Sequence, residues 1–337
     1  MSAETPVCQL LERQPAGYHG WLWVAPPQDA WLEQGQNILL SADEAILNAW
    51  RERGRKTASP LNKTLGESVL APPGVVVFWP KAHALGEWWL LWLCAHLKPG
   101  TPLQVVGENQ GGIKRVLKVL AALGLGCQRL DNARRCSLFG SALERVALEP
   151  DAVWKHFDAE GLTLASHPGV FGHGKLDDGT RMLLAHLPNE LVEVTSKGCD
   201  VLDMGCGDGI IATWLAKRGH RVCAVDVNGF AVEATRRSLA ANGLDGEVLA
   251  GDVYSSLGER RFDVIVSNPP FHQERSIDHG PASRLIRDAP MHLRSGGSLI
   301  LVANAFLPWP RLLSEAFGDV EILADDRRYR VYRAIRR

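Results

Sequence analysis

The run Val201-Leu202-Asp203-Met204-Gly205-Cys206-Gly207-Asp208-Gly209-Ile210 constrains the fold more than any other part of the chain. A buried-strand pattern reaches Asp203, glycines follow at alternate positions, and a helical pattern begins at once. Glycine permits positive φ and lets a ligand approach the backbone closely. Alternation then continues, with strands expected at 199–203, 221–226, 246–250, 262–267, 297–303, 319–324 and 328–335. Helices are expected at 178–187, 209–218, 229–241, 281–293 and 309–316. This order predicts an α/β fold with a parallel-type sheet covered on both faces. Only 324–327 separates the last two strands, too short for a crossover, so the final strand should run antiparallel.

The preceding part is patterned less clearly. A helix is expected over 41–54, with Ser41 as cap and Glu44 completing a capping box. A loop is expected over 54–73, a buried strand at 75–78, a helix at 84–97, a strand at 103–107, a helix at 113–123 and a strand at 134–139. The pattern loosens between 145 and 165, which places a domain boundary there and gives domains of 1–150 and 151–337. Eight of the 11 tryptophans lie before residue 93, a density that suits a core more than an RNA-stacking surface. A weak internal repeat joins the two parts: 97–106 resembles 293–302, and a strand running into proline precedes each. In the first copy Trp79 stands where the second has Asn268, and no glycine-rich turn follows a strand. A duplicated fold with chemistry only in its second copy follows as an expectation.

Three further positions line up behind the glycine turn. Asp226 ends the next strand, where a carboxylate can accept from both ribose hydroxyls, although a charge that merely stops a strand would look the same. Asp252 follows the third strand and can accept from an adenine amine, although aspartate is common after strands. Asn268-Pro269-Pro270-Phe271 follows the fourth strand. Two prolines would break a ladder, so this is a fixed loop at the carboxyl end of the sheet.

Together these positions resemble the class I S-adenosylmethionine-dependent methyltransferases. The resemblance implies a Rossmann-like seven-stranded sheet with a degenerate copy of the same fold before it. It assigns Asp203, Gly205, Gly207, Gly209, Asp226, Asp252 and Asn268 to binding S-adenosyl-L-methionine, and needs no metal. It assigns catalysis to Asn268, Pro269, Pro270 and Phe271, a motif of enzymes that methylate planar nitrogens. Residues 168–171 and 176–180, the run Val302-Ala303-Asn304-Ala305-Phe306-Leu307-Pro308 and the closing 329–335 are similar to bacterial ribosomal RNA guanine-N2 methyltransferases. That family implies methylation of a guanosine in 16S rRNA, with 16S rRNA or the 30S ribosomal subunit as partner. The implied chemistry uses the Asn268 oxygen and the Pro269 carbonyl as acceptors for the amine, with Phe271 stacked on the base. His272 is a further pocket candidate.

Charge limits how RNA could be held. The formal net charge is −1, about +2 before residue 150 and −3 after it, so no bulk polycation is present. The dense basic cluster is Arg327, Arg328, Arg330, Arg333, Arg336 and Arg337, which could equally be solvated charges guarding an edge strand. Seven cysteines, without metal-site spacing, and no long apolar run favour a cytoplasmic protein without membrane attachment, and a monomer is expected. A nicotinamide oxidoreductase is disfavoured, because its turn needs Gly-x-Gly-x-x-Gly and the spacing here is Gly-x-Gly-x-Gly. A 23S rRNA guanine, a protein glutamine amide, or a non-catalytic role in ribosome assembly remain as alternatives.

Overall fold

The computed structural model describes residues 2–15, 17–147, 149–188, 191, 198–269 and 280–337. The chain divides into two compact units, Met1–Val153 and Trp154–Arg337. Each is built on a seven-stranded sheet of the same order.

In the second unit the strands are β10 (Asp200–Met204), β11 (Arg221–Asp226), β12 (Glu247–Ala250), β13 (Phe262–Ser267), β14 (Leu293–Asn304), β15 (Val320–Asp325) and β16 (Tyr329–Ile335). Their order is β12-β11-β10-β13-β14-β16-β15. The first five run parallel and β16 is antiparallel to both neighbours, as the short 324–327 turn predicts. Helices α6 (Asp178–Ala185), α7 (Ile210–Lys217), α8 (Gly229–Ala241), α9 (Pro281–Asp288) and α10 (Trp309–Phe317) accompany the sheet. Alternate residues of β10 explain the two faces: Val201 packs in one core cluster with Leu215 and Val232, Leu202 in the other with Leu285 and Leu313. The order reverses at β10, whose neighbours are β11 and β13. Ligands bind at such a switch point, outside the carboxyl ends of the strands. A separate hairpin, β8 (Lys155–Ala159) with β9 (Leu162–Ser166), occupies part of the stretch expected to be irregular.

In the first unit the strands are β1 (Leu22–Val24), β2 (Ile38–Leu40), β3 (Thr57–Ala58), β4 (Val75–Phe78), β5 (Pro102–Glu108), β6 (Gln128–Ala133) and β7 (Cys136–Ala142), in the order β3-β2-β1-β4-β5-β7-β6. Its helices are α1 (Pro6–Glu12), α2 (Glu44–Glu52), α3 (Glu67–Leu70), α4 (His83–His96) and α5 (Val116–Ala122). Position by position this order repeats that of the second unit, so the first sheet is a degenerate copy. The likeness reaches single hydrogen bonds. Ala25 follows β1 at φ +50° and its N–H donates to Leu40 O at 2.9 Å. Gly205 follows β10 at φ +77° and its N–H donates to Val225 O at 2.8 Å. Ala25 keeps the left-handed turn although its Cβ disfavours it.

Several expectations for this unit need correction. The cap of α2 is Asp43, which accepts from Ile46 N at 3.1 Å, while Ser41 accepts from Asp43 N one step earlier. The expected 54–73 loop contains β3 and α3, both too short to give a periodic signal. The expected 134–139 strand is really a hairpin of β6 and β7, turning at Arg134 and Arg135 with φ of +55° and +60°. Hairpins turn most readily where both central residues tolerate positive φ, and two arginines hide that signal. The tryptophans are core: Trp23, Trp50, Trp79, Trp88, Trp89 and Trp92 are buried, and Trp21 and Trp31 half-buried.

The C-terminal arginines do not guard an edge either, because β16 lies between β14 and β15. Arg328 pairs with Asp178 at 3.0 Å, Arg330 with Asp325 at 2.6 Å, and Arg337 with Asp319.

Candidate active site

The turn after β10 is fixed from below. Asp203 is fully buried, and its Oδ2 accepts from Ala212 N in the first turn of α7 at 2.9 Å. Burial pushes its carboxyl up to about 8, with the Asp226 and Asp208 carboxylates acting in the same direction. Burial likewise pushes Asp208 up to about 7. Asp203 therefore sets the turn from within the protein and has no surface to offer a ligand.

The three glycines divide by role. All have positive φ, at +77°, +57° and +82° for Gly205, Gly207 and Gly209. A Cβ on Gly205 or Gly207 would meet nothing within 4 Å, so the space over them is open. On Gly209 it would stand 2.8 Å from Thr235 Cα, so this glycine serves the contact of α7 with α8.

Asp226 is aimed by the same turn. Its Oδ2 accepts from Gly207 N at 3.0 Å and its Oδ1 from Asn228 N at 2.9 Å, which fixes the carboxylate at the end of β11. Asn228 caps α8 and donates from Nδ2 to Gly169 O at 2.6 Å. Gly169 has no room for a side chain: a Cβ would lie 2.4 Å from the Phe230 ring. Phe230 in turn stacks on the buried His167 ring at 4.2 Å. The segment 167–170 is thereby held beside Asp226. On the next strand, Gly251 N donates to Asp226 O at 3.0 Å. Asp252 then forms a two-pronged pair with Arg284 of α9, Oδ1 at 2.8 Å and Oδ2 at 2.9 Å. Tyr254 ties the same turn to α9 by donating its hydroxyl to Leu285 O at 2.8 Å.

Asn268 follows β13. Its Nδ2 donates to Asp177 Oδ2 at 2.9 Å and to Thr180 Oγ1 at 2.8 Å. Both amide hydrogens are thus engaged by the first turn of α6, which leaves Oδ1 as an acceptor. Pro269 is buried beside it. Pro270, Phe271 and His272 lie outside the described residues. The structure therefore brings Gly205, Gly207, Asp226, Asp252, Asn268 and Pro269 to one end of four adjacent strands, with Asp203 and Gly209 supporting from below.

Ribosomal RNA small subunit methyltransferase C of Chromohalobacter salexigens is 61% identical to this chain over 337 residues, covering 100% of it and 99% of that relative. This chain belongs to the ribosomal RNA small subunit methyltransferase C family. The methyltransferase C of Escherichia coli is 41% identical over 343 residues, covering 99% of this chain and 98% of its own length. The models of the methyltransferase small domain and of its N-terminal domain match residues 161–333 and 21–157. A solved structure of the T. thermophilus 16S rRNA N2 G1207 methyltransferase (RsmC), in complex with AdoMet and guanosine, superposes with a TM-score of 0.86 at 29% identity. That match covers 99% of this chain and 92% of the T. thermophilus one.

Asp177, Thr180, Asn228 and Arg284 are parts of the site that the sequence motifs do not mark. Asp177 and Thr180 lie within 176–180, and an aspartate three residues before a threonine at a helix start is a capping signal. Asn228 before Gly229 is another. Arg284 carries no local signal, since its partner is 32 residues away.

Proposed function

We propose that this chain methylates the exocyclic N2 amine of a guanosine in 16S rRNA, the equivalent of the G1207 named for its T. thermophilus relative. The observation that carries the reading is the orientation of Asn268. A guanine amine is a poor nucleophile because its lone pair is delocalised into the ring. An acceptor aimed at its N–H bonds favours the pyramidal, reactive form, and the free Asn268 Oδ1 is that acceptor. The Pro269 carbonyl is the second, and Phe271 stacks on the base. Asn268 thus acts by positioning and by stabilising positive charge that develops on nitrogen, without a titrating base, and the proton leaves to solvent.

The open space over Gly205 and Gly207 and the carboxylate of Asp226, fixed beside them by Gly207 N, fit S-adenosylmethionine. When bound, it supplies an electrophilic methyl group on a sulfonium. Gly205 and Gly207 let its methionine part approach the backbone, Asp226 accepts from the ribose hydroxyls, and Asp252 accepts from the adenine amine. Asp203 and Gly209 hold the turn that makes this possible.

The catalytic domain in this reading is 151–337, and 1–150 is structural or binds RNA. Among the described residues of the first unit no glycine-rich turn follows β1. Asp29, which caps the short turn 30–33, is occupied by its own chain, accepting from Thr5 N at 2.8 Å, Thr5 Oγ1 at 2.7 Å and Trp31 N at 3.1 Å. The partner is 16S rRNA or the 30S subunit, met in the cytoplasm by a monomer. A base in a duplex cannot reach such a site, so the target guanosine is unpaired or flipped out. Among the described residues no helix is long and apolar enough to cross a membrane.

The test is mass mapping of modified guanosines in ribosomal RNA from cells lacking this chain. Loss of one N2-methylguanosine from 16S rRNA is expected, restored by the wild type and not by Asn268→Ala. An unchanged 16S pattern, or loss from 23S rRNA instead, refutes the reading.

A further inference from the structure

Among the described residues Phe306 is the most exposed large apolar side chain, at 82%. It stands on a pinned turn beyond β14. Ala305 N donates to Arg328 O at 2.9 Å, Leu307 N to Asn304 O at 3.0 Å, and the Arg330 guanidinium to Ala305 O at 3.4 Å. Leu307 packs against the core and Trp309 is buried. The anchors on both sides are fixed, so the ring is held out in water, where it gains nothing from burial.

Its place is the rim of the site. Asn304 pairs with Tyr329, and the Tyr329 ring lies 3.3 Å from where a Cβ on Gly179 would stand. Asp177 Oδ2, the atom that holds Asn268, lies 2.9 Å from that same point. Cations surround this rim. Arg328 reaches over the Tyr329 ring and bonds Asp178. Arg181 stands one helical turn from Asp178, and both Arg181 and Arg327 are exposed with no ion pair among the described residues.

We propose that Phe306 is a stacking subsite for a nucleotide flanking the target guanosine in single-stranded RNA, with Arg327 and Arg181 meeting its phosphates. A lone ring among charged side chains is too small and too polar a patch for a lipid surface or a protein interface. It suits a base, whose face stacks on an aromatic ring while its phosphates meet cations. The inference rests on RNA being the substrate and adds where the strand leaves the pocket.

The test measures binding of a labelled single-stranded RNA containing one guanosine, over a range of salt, with the affinity for S-adenosylhomocysteine as a control for folding. Phe306→Ala should weaken RNA binding about 5- to 150-fold, from the worth of one base–aromatic stack. Phe306→Trp should bind nearly as the wild type does, and both should keep wild-type affinity for S-adenosylhomocysteine. Arg327→Ala should lower the salt slope by about 0.7, the share of one single-strand phosphate. Unchanged RNA affinity in Phe306→Ala, beside a wild type that binds, overturns this subsite alone. Lost affinity for 30S subunits with unchanged affinity for RNA overturns it in favour of a protein contact. A wild type that neither binds nor methylates RNA overturns both this subsite and the reading beneath it.

Discussion

Asn268 Nδ2 donates to Asp177 Oδ2 at 2.9 Å, and that same oxygen accepts from Thr180 N to cap α6. One carboxylate oxygen thus starts a helix and decides which end of the Asn268 amide faces the site. Asp177→Ala removes that acceptor and leaves only Thr180 to hold the amide nitrogen, which frees the Asn268 side chain to turn round. A hydrogen bond to a charged group contributes about 1.5–3 kcal/mol, so turnover should fall about 10- to 100-fold. Asn268→Ala should lower it further, about 100- to 1,000-fold, in line with loss of one oriented polar group at a transition state. Single-turnover methylation measured beside S-adenosylhomocysteine affinity checks both, and the affinity should hardly move. A Thr180→Val variant with full activity would show that the second bond is dispensable.

The glycines should separate cofactor binding from folding. Gly209→Ala puts a Cβ 2.8 Å from Thr235 Cα, an overpacking that costs about 1–3 kcal/mol. Gly207→Ala meets no neighbour, so its penalty is chiefly the left-handed backbone, about 1 kcal/mol. Thermal unfolding with and without S-adenosylhomocysteine tells them apart. Gly209→Ala should melt earlier in both conditions, whereas Gly207→Ala should lose most of the shift that the ligand gives. Equal ligand shifts in Gly207→Ala and wild type would remove this glycine from the cofactor site.

Arg284 offers a graded test of Asp252. The pair is two-pronged but partly solvated, with the arginine side chain 43% and the aspartate 26% exposed, so its net worth is about 0–1 kcal/mol. Arg284→Gln should therefore weaken S-adenosylhomocysteine binding by no more than about 5-fold, through a less well-held carboxylate. Asp252→Ala should weaken it more, because the acceptor itself is gone. Calorimetric titration of the two variants gives the order, and the reverse order would mean that Arg284 touches the ligand directly.

Legibility in the sequence tracked how local each signal is. The β10 turn was readable because a buried run, alternate glycines and a helix start lie within ten residues. The duplication was visible in 97–106 and 293–302, and the shared strand order bears it out. β6 was hidden because Asp131 and Asn132 disfavour strands and most of it faces water. β1 and β2, three residues each and beside tryptophans, were too short to show a period. The lock on Asn268 could not be read at all, since its partners lie 91 and 88 residues away and only the packing of α6 brings them together.

Three buried groups give stability a pH dependence of defined sign. Asp203 and Asp208 are held up to about 8 and 7 by burial, far above an ordinary carboxyl. The folded chain therefore keeps protons that the unfolded chain releases above about pH 4. Unfolding then releases protons, and stability falls as pH rises from about 4 towards 8. His167 acts from the other side. Burial holds it down to about 3, so the unfolded chain takes up a proton below about pH 6.5 that the folded chain refuses. Stability is lost on that account as pH falls from about 6.5 to 3. From about 6.5 to 7.5 the carboxyls dominate; above that the buried cysteines, whose thiols burial pushes up, add a fall of the same sign. Denaturant midpoints at pH 6.5, 7.0 and 7.5 should fall in the wild type, and Asp203→Asn should flatten the fall by about one proton. An Asp203→Asn slope equal to that of the wild type would mean that Asp203 is already ionised in the fold, its charge met by the turn rather than avoided by it.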